Sequence, residues 1–523
     1  MNNILRKYIK HSAPFGPIDS SIIKVEDKEV LKKLFDPQNK IYNILKRNPS
    51  IIIGRRGSGK TAYLHSAFID QEFEIIEEIK TAATFSKIVN TIEEKTSASY
   101  NLSENIASFW DDIFYIALIS KVVKKYDNMS IELNLIKDFA AKQGIHKELS
   151  LDKILWDIIH SISSKLDNIV GLAANFIEKE VGVNLEEAKN SLIKFLNEKN
   201  INAMILLDSL EQYPTSIQSV ANTLSGLLKC VGQFNERNDR INIRLCLPAE
   251  MYHIFLDNVS TNPLKDFSNA ITLHWIAGEL LSVVANRLSL YLDLYFPNKY
   301  TQLNKTDQTR KDILDFLFNF LPSQINNSLG YQENTIAYIL RHTQLQPRHL
   351  LIYLNEIFEI EYNVNNNGYP LISEESVRKG IEQSMHLICQ EIFSGFHILA
   401  PNIGQICEAC IMDIPHRFSN GYLHKVFNQI GKKSSNLDDY WEFRRMLIET
   451  GIIGQVIGET ERYIIGKFEY TEPHKLVIST HDELCLHPLF SERYHCKFDK
   501  NAKAIYPYGC DPDTEDHRKW LLS

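Results

Sequence analysis

The residues with the clearest chemical potential form the pattern Gly-x-x-x-x-Gly-Lys-Thr, which runs from Gly54 to Thr61. Glycines let the backbone adopt conformations that a Cβ atom disfavours, so several N–H groups can point inward at an anion. The lysine would reach the β- and γ-phosphates of a nucleotide, and the threonine hydroxyl would bind a magnesium ion. We therefore predict a phosphate-binding loop formed by Gly54, Arg55, Arg56, Gly57, Ser58, Gly59, Lys60, Thr61 and Ala62.

The segments on either side of this loop would position it. The β-branched run Ile51-Ile52-Ile53 predicts a strand before the loop, and residues 62–68 predict a helix after it. The first N–H groups of that helix would add partial positive charge at the same place. Strand, glycine-rich loop and helix in this order are typical of a P-loop NTPase. A glycine-rich turn could match the pattern by chance, but it would not need both flanking elements.

A second functional segment begins with the apolar run from Ala203 to Leu207. A continuous apolar strand is typical of the centre of a parallel sheet, and it would deliver the carboxylate of Asp208 to the carboxyl edge. There Asp208 would lie beside the magnesium ion bound by Thr61. Glu211 is the candidate that orients and polarises the attacking water. Its alternative role is that of a surface acid that stabilises the start of a helix.

Strands and helices alternate around this segment. Further strands are predicted at residues 72–78, 241–247 and 270–273, with a helix at about 216–235. This alternation implies a parallel sheet with right-handed crossovers. Glu250 follows one of these strands, where it would serve either as a polar sensor of the γ-phosphate or as a helix-capping acid.

Two regions are predicted to be helical. Apolar residues recur at three- and four-residue spacing in an insert at about 82–200, and its predicted helices are 107–125, 131–143, 151–166 and 185–199. Residues 276–385 form a predicted helical lid. Proline is favoured in the first turn of a helix, so Pro347 would present Arg348 at a helix start, from which it could reach the γ-phosphate. The alternative is a structural arginine that packs through its stem.

Together these segments resemble the STAND ATPases (signal-transducing ATPases with numerous domains), their AAA+ relatives and the origin-recognition ATPases. The resemblance covers about residues 40–385. It rests on the P-loop, the insert, the segment 206–211, the Leu-x-Trp-x-x-x-Glu-Leu segment 273–280 and the Pro-Arg pair of the lid. It implies ATP with Mg²⁺, a lid that closes on nucleotide, homo-oligomers, and an effector or sensor protein as partner. The family commonly has two adjacent acids where this chain has Glu211 and Gln212, so we expect slow hydrolysis.

The C-terminal part resembles a winged helix, because helices are followed by two short strand-like segments at 452–456 and 462–470. Its basic residues could contact nucleic-acid phosphates, and they are Lys432, Lys433, Arg444 and Arg445. Acidic residues lie among them, and they are Asp438, Asp439, Glu442, Glu459, Glu461 and Glu469. The sequence therefore leaves protein contact and DNA contact open for this domain.

The predicted fold is an α/β P-loop NTPase core with a parallel sheet, an all-helical insert and lid, and a C-terminal winged-helix-like domain. The predicted parts are an N-terminal segment at 1–45, the core at 46–275, the lid at 276–385, the winged-helix-like domain at 386–500 and a tail at 501–523.

Composition limits the class of protein. The chain has 523 residues, 44% of them hydrophobic, and a formal net charge of -8, which argues against a strongly basic nucleic-acid-binding protein. We predict neither a secretory signal nor a membrane partner, because no run approaches the roughly 18 apolar residues that a spanning helix needs. The eight cysteines are scattered, which predicts reduced thiols and a cytoplasmic protein.

A zinc site is the alternative explanation for some of these cysteines. Cys407 and Cys410 form one Cys-x-x-Cys pair, and the side chains that could complete a site are Cys485, His487, His495 and Cys496. These lack the usual ligand spacing, so we expect buried thiols instead.

Three functions are consistent with the sequence. The first is an ATP-hydrolysing conformational switch that controls a partner protein, with bacterial antiviral defence as the use suggested by the resemblance. The second is a DNA-binding ATPase of the origin-recognition or loader kind. The third is a scaffold that binds nucleotide without hydrolysing it.

Overall fold

The computed structural model describes residues 2–24, 27, 29–35, 48–69, 72–80, 102–127, 130–145, 153, 185–208, 217–251, 269–297, 310–365, 371–397, 399–471, 475–497 and 502–509. Glu211, Gln212 and the predicted insert helix at 151–166 therefore lie outside the described residues, apart from residue 153.

The chain divides into two compact units. The first contains Met1–Gln38, Arg55–Gly59 and His274–Ser523, and the second contains Asn39–Gly54 and Lys60–Leu273. Both the lid segment and the C-terminal domain belong to the first unit. The predicted domain boundaries remain predictions.

The strands among the described residues are β1 (Ile51–Gly54), β2 (Ile75–Lys80), β3 (Ala203–Asp208), β4 (Ile241–Pro248), β5 (Ala270–Leu273), β6 (Gln324–Asn326), β7 (Gln332–Asn334), β8 (Arg417–Ser419), β9 (Ile453–Glu459), β10 (Tyr463–Lys467), β11 (Glu483–Leu486) and β12 (Ala504–Tyr506). The α-helices are α1 (Asn2–Tyr8), α2 (Glu29–Phe35), α3 (Lys60–His65), α4 (Leu102–Lys125), α5 (Ile131–Lys142), α6 (Leu185–Lys199), α7 (Ile217–Arg237), α8 (Ala277–Tyr295), α9 (Arg310–Leu317), α10 (Thr335–Arg341), α11 (Pro347–Asn365), α12 (Glu374–Gly395), α13 (Ile403–Cys410), α14 (Asn420–Val426), α15 (Lys432–Ser435), α16 (Tyr440–Glu449) and α17 (Pro488–Arg493).

The second unit is built on a sheet with the strand order β2-β3-β4-β1-β5. All neighbouring strands are parallel, and Ile51 of β1 lies opposite Leu245 of β4 and Ala270 of β5. Every residue of β1 is buried, as is β3 up to Leu207, because helices cover parallel sheets on both faces. The predicted α/β core with a parallel sheet is confirmed.

The insert of the second unit is helical where it is described. Phe114 of α4 contacts Phe234 of α7, with ring centroids 5.8 Å apart. The Lys189 amine of α6 is buried and donates to Asp111 Oδ2 at 3.0 Å and Asp112 Oδ1 at 2.7 Å, both on α4. Burial raises the pKa of Asp112 to about 6, against the opposing effect of Lys189. This lysine therefore links two helices that lie far apart in the sequence.

In the first unit, α8 carries a fully buried arginine. Arg287 donates hydrogen bonds to the backbone carbonyls of Leu34 at 2.7 Å, Phe15 at 2.8 Å and Pro17 at 3.0 Å. Burial lowers the pKa of Arg287 to about 9. Since a buried cation needs partners, these carbonyls hold the N-terminal segment against α8.

The lid segment differs in one respect from the prediction of an all-helical region. It contains the antiparallel hairpin β6–β7, in which Ile325 lies opposite Glu333. The turn is stabilised by Asn327, whose Oδ1 accepts from the N–H groups of Leu329 and Tyr331, and by Gly330 with φ of +83°. An asparagine that bonds to the following backbone and a left-handed glycine favour a turn over a continued helix.

The C-terminal part of the first unit has a mixed sheet with the order β12-β10-β9-β11-β8. Strands β9 and β10 lie at the two predicted strand-like segments and form an antiparallel hairpin, preceded by helices α13 to α16. This arrangement confirms the winged-helix-like domain.

One residue of its predicted basic set is structural instead. Arg444 is 8% exposed, and it donates to Asn420 Oδ1 at 2.6 Å and to the carbonyls of Ile478 and Ser479. The guanidinium of Arg444 therefore holds a loop of its own domain, so of the two possibilities that the sequence left open, phosphate contact does not apply to this residue.

Candidate functional site

The phosphate-loop sequence adopts a tight turn at residues 55–58. The Ser58 N–H donates to the Arg55 carbonyl at 3.0 Å. Gly57 and Gly59 have φ of +82° and +92°, which L-residues with a Cβ rarely adopt. A Cβ on Gly57 would also lie 3.1 Å from the Arg348 Cβ. The backbone conformation of this segment therefore requires glycine at positions 57 and 59.

Lys60 is the first residue of α3 and is only 6% exposed. Its Nζ donates to the carbonyl of Gly54, the last residue of β1, at 2.9 Å. A buried ammonium at the N-terminus of a helix favours the binding of anionic groups. Ala62, the last residue of the predicted loop, is buried in α3.

The structure brings Thr61 and Asp208 together across 147 positions of sequence. The Thr61 hydroxyl donates to Asp208 Oδ2 at 2.7 Å. Asp208 is the last residue of β3, and its carboxylate thus reaches the carboxyl edge of the sheet as the sequence predicts. A hydroxyl and a carboxylate oxygen this close fit a hard cation such as Mg²⁺, which binds oxygen ligands.

A further contact within the first unit joins Ser58 of the turn to Trp275. Trp275 Nε1 donates to the Ser58 carbonyl at 2.8 Å. The Ser58 hydroxyl is buried and has no hydrogen-bond partner among the described residues. A buried hydroxyl without a partner carries a desolvation cost, which a phosphate oxygen accepting from it would offset. In the sequence, Trp275 contributes only to the family resemblance, because a tryptophan after a strand does not by itself indicate contact with the phosphate-loop sequence.

Arg348 lies at the start of α11, as predicted from Pro347. Its N–H donates to the Gly57 carbonyl at 3.4 Å, so it adjoins the loop turn. Its guanidinium pairs with Glu391 Oε1, lies 3.3 Å from Asp19 Oδ2 and donates to the Ile18 carbonyl at 3.3 Å. Arg348 is thus next to the phosphate loop and is also tied into the first unit.

The two arginines of the loop have separate partners. Arg56 Nε lies 3.4 Å from Glu391 Oε1, the oxygen that also pairs with Arg348. Arg55 donates to Gln344 Oε1 at 3.2 Å and to the Glu449 carbonyl at 2.9 Å. Sequence reasoning placed Arg55 in the loop but missed these partners, which lie hundreds of positions away without a local signal.

The remaining candidates divide into two groups. Glu250 is 7% exposed in a short helical turn after β4, and the catalytic role of Glu211 stays a prediction. Cys407 and Cys410 are buried in α13, and burial raises the pKa of Cys410 to about 11. Within the described ranges, no group of three or more His, Cys, Asp and Glu side chains is arranged to hold a metal ion.

His487 is fully buried, and its hydrogen bonds define its tautomer. The Leu489 N–H donates to His487 Nδ1 at 3.1 Å, so the proton lies on Nε2. Nε2 lies 2.7 Å from the Tyr470 hydroxyl and 3.2 Å from the Thr343 carbonyl. Burial keeps the pKa of His487 well below its ordinary value, so the ring is neutral at pH 7.

A parallel sheet with a phosphate-loop sequence between β1 and α3 and an acid at the end of β3 matches the predicted α/β P-loop core. Over the ranges that the structure describes, the helices are too short or too polar to cross a membrane.

No protein-family model matches the chain, and no curated protein matches it. Among solved structures, the chain is similar to the ORC2 protein of Aeropyrum pernix. The form with ADPNP and ADP is 12% identical with a TM-score of 0.37, over 91% of this chain and 97% of that chain. The ADP form is 12% identical with a TM-score of 0.31, over 90% and 93% of the two chains.

Proposed function

We propose that this protein is a nucleotide switch that binds ATP with Mg²⁺ and hydrolyses it slowly. The observation that carries the proposal is the hydrogen bond of 2.7 Å between Thr61 and Asp208. Each residue was selected from its own sequence pattern as a magnesium ligand, and a chance match to the glycine pattern would not place them in contact.

The residues divide the binding task by chemistry. Lys60 and the N–H groups of the glycine-rich turn hold phosphate oxygens, while Thr61 and Asp208 hold the cation. Mg²⁺ bound there would offset the negative charge of the phosphates. Asp208 supplies the negative charge that keeps the cation at the carboxyl edge of the sheet.

For hydrolysis, we propose that Glu211 orients the attacking water and that Arg348 senses the γ-phosphate from the lid. The contact between Arg348 and the Gly57 carbonyl supports this role, because it puts the arginine beside the loop turn. Gln212 in place of a second acid supports slow turnover. We further propose that a separate effector or sensor protein carries the output. In this proposal the protein is a STAND-type cytoplasmic homo-oligomer, and the family resemblance suggests bacterial antiviral defence as its use.

The test is ATP binding by calorimetry and single-turnover hydrolysis, with and without Mg²⁺. Lys60→Ala should abolish tight binding, and Glu211→Gln should bind ATP but lose hydrolysis. Lys194→Ala, which removes an exposed lysine from α6, is the matched control and should behave as wild type. Equal binding by wild type and Lys60→Ala would refute the nucleotide site. A slow ATPase rate that is the same in wild type and in Glu211→Gln would favour the nucleotide-bound scaffold, in which Glu211 has no catalytic role.

The DNA-binding alternative has less support from the surface charges. Lys432 pairs with Asp438 at 3.0 Å, and Arg417 pairs with Glu459 at 2.6 Å, so these cations are already neutralised by acids. Phosphate contacts release counterions, and DNA affinity should then fall steeply with salt. We expect no such salt-dependent binding to duplex DNA, and observing it would favour the loader-like function.

A further inference from the structure

Arg55 directs its side chain to residues of the lid segment and the C-terminal domain, all within the first unit. We propose that Arg55 is a positioning residue through which the C-terminal domain sets the affinity of the phosphate loop for ATP. This inference rests on the proposed nucleotide function and adds its regulation.

The first contact is with the end of a helix. Arg55 Nη2 donates to the carbonyl of Glu449, the last residue of α16, at 2.9 Å. Carbonyls at a helix C-terminus lack partners within the helix and carry partial negative charge, so a guanidinium there is doubly favoured. The end of α16 therefore attracts Arg55 by charge as well as by hydrogen bonding.

Aromatic rings enclose the same guanidinium. The Arg55 Cζ lies 5.4 Å from the ring centroid of Phe396 and 5.8 Å from that of Tyr470. Both rings are buried, at 4% and 2% exposure. Cation–π attraction is stronger in such desolvated surroundings, so the rings restrict the guanidinium to this position.

Gln344 joins the contact from the lid segment. Its Oε1 accepts from Arg55 Nη1 at 3.2 Å, and its Nε2 donates to the Thr450 carbonyl at 2.9 Å. The following residue, Gly451, has φ of +71°, and a Cβ there would lie 2.7 Å from Gln344 Nε2. The turn after α16 is therefore packed closely around the amide that holds Arg55.

These contacts reach the loop through its backbone. The Arg55 carbonyl accepts the Ser58 N–H at 3.0 Å and thereby closes the turn of the loop. Moving α16 would move Arg55, and moving Arg55 would open this turn. Coupling free energies act in both directions, so ATP in the loop should in turn stabilise the end of α16.

The experiment uses the full-length protein and compares wild type with Arg55→Ala, Arg55→Lys, Gln344→Ala and the Arg55→Ala/Gln344→Ala double variant. Arg55→Ala should raise the Kd for ATP about tenfold, which is an ordinary size for the coupling between two sites. Arg55→Lys should recover only part of this affinity, because an ammonium cannot replace the planar fork. The double variant should be no worse than Arg55→Ala alone, since both residues act through one contact. Arg493→Ala, at an exposed arginine of α17, is the control.

Hydrogen exchange provides a readout that a merely structural role would not change. In wild type, saturating ATP should slow amide exchange at residues 446–451 about tenfold, within the usual range of coupling. In Arg55→Ala at saturating ATP, this protection should be lost although ATP is bound. If Arg55→Ala binds ATP with the affinity of wild type and shows the same protection at residues 446–451, the inference on Arg55 is wrong, while the proposed nucleotide site is unaffected. No ATP binding by wild type would overturn both.

Discussion

The carboxylate of Glu492 lies between two basic side chains of the lid segment. Its Oε1 is 3.1 Å from Arg341 Nη2 and 3.0 Å from His342 Nε2, and Arg341 also lies 3.3 Å from Glu333. Burial raises the pKa of Glu492, but His342 and Arg341 together outweigh it and lower the pKa from 4.5 to about 2. The ionised form of Glu492 therefore stabilises the folded state.

The magnitude follows from this pKa. A fall from 4.5 to about 2 corresponds to about 3 kcal/mol at pH 7. Breaking a buried ion pair by removing one partner costs about 3–5 kcal/mol, which agrees. Because folding lowers the pKa, the unfolded chain binds the proton more readily between pH 4.5 and 2. The contribution is thus complete above pH 4.5 and is lost as the pH falls towards 2.

Glu492→Gln should accordingly lower the free energy of unfolding by about 3 kcal/mol at pH 7 and by about 1 kcal/mol at pH 3. Urea denaturation followed by near-UV circular dichroism at pH 7, 5 and 3 measures both values. Glu382→Gln, at an exposed glutamate of α12, is the control and should change stability at none of these pH values. Equal losses at pH 7 and pH 3 would show that the charge of Glu492 is not the source of the stabilisation.

Three further predictions follow from the site and its surroundings. Asp208→Asn should lower single-turnover ATP hydrolysis about 100-fold or more, because it removes the charge that holds the cation; unchanged Mg²⁺ dependence would contradict this. Gly57→Ala and Gly144→Ala both place a Cβ at positive φ, so each should lower the free energy of unfolding by about 1–2 kcal/mol. Only Gly57 adjoins Arg348, so only Gly57→Ala should also weaken ATP binding in calorimetry. Burial lowers the pKa of His487, so the unfolded state binds more protons below pH 6.5; His487→Asn should lower the Tm at pH 7.5 yet flatten its fall between pH 6.5 and 5.

The sequence was sufficient for those parts of the fold that have a local or periodic signal. Strands β3, β4 and β5 were predicted within one or two residues, and β3 gave the clearest signal because a strand buried on both faces is a continuous apolar run. The position of Asp208 at the carboxyl edge of the sheet was also predictable, because parallel strands present their last residues at one edge. Its hydrogen bond with Thr61 joins distant segments and was not itself predicted.

The residues that escaped prediction depend on tertiary contacts. Arg444 belongs to a basic cluster in the sequence, yet the structure uses its charge to hold carbonyls at Ile478 and Ser479. The partner Glu391, shared by Arg56 and Arg348, lies in a helix whose sequence gives no reason to single it out. Long-range pairing of this kind is decided by packing, which composition and periodicity do not encode.

The loop itself shows how the two kinds of information combine. Its motif positions include Gly57, which has a positive φ, and Lys60, for which we propose phosphate binding; any P-loop needs these two residue types. The variable positions Arg55 and Arg56 have no defined task in the motif. In this chain Arg55 contacts the lid segment and the C-terminal domain, and Arg56 pairs with Glu391. A loop that signals whether nucleotide is bound needs side chains that contact other parts of the protein and do not bind phosphate. The motif does not assign phosphate binding to the side chains at the two variable positions. The same motif can therefore acquire a chain-specific output by changing these two residues while the phosphate chemistry stays the same.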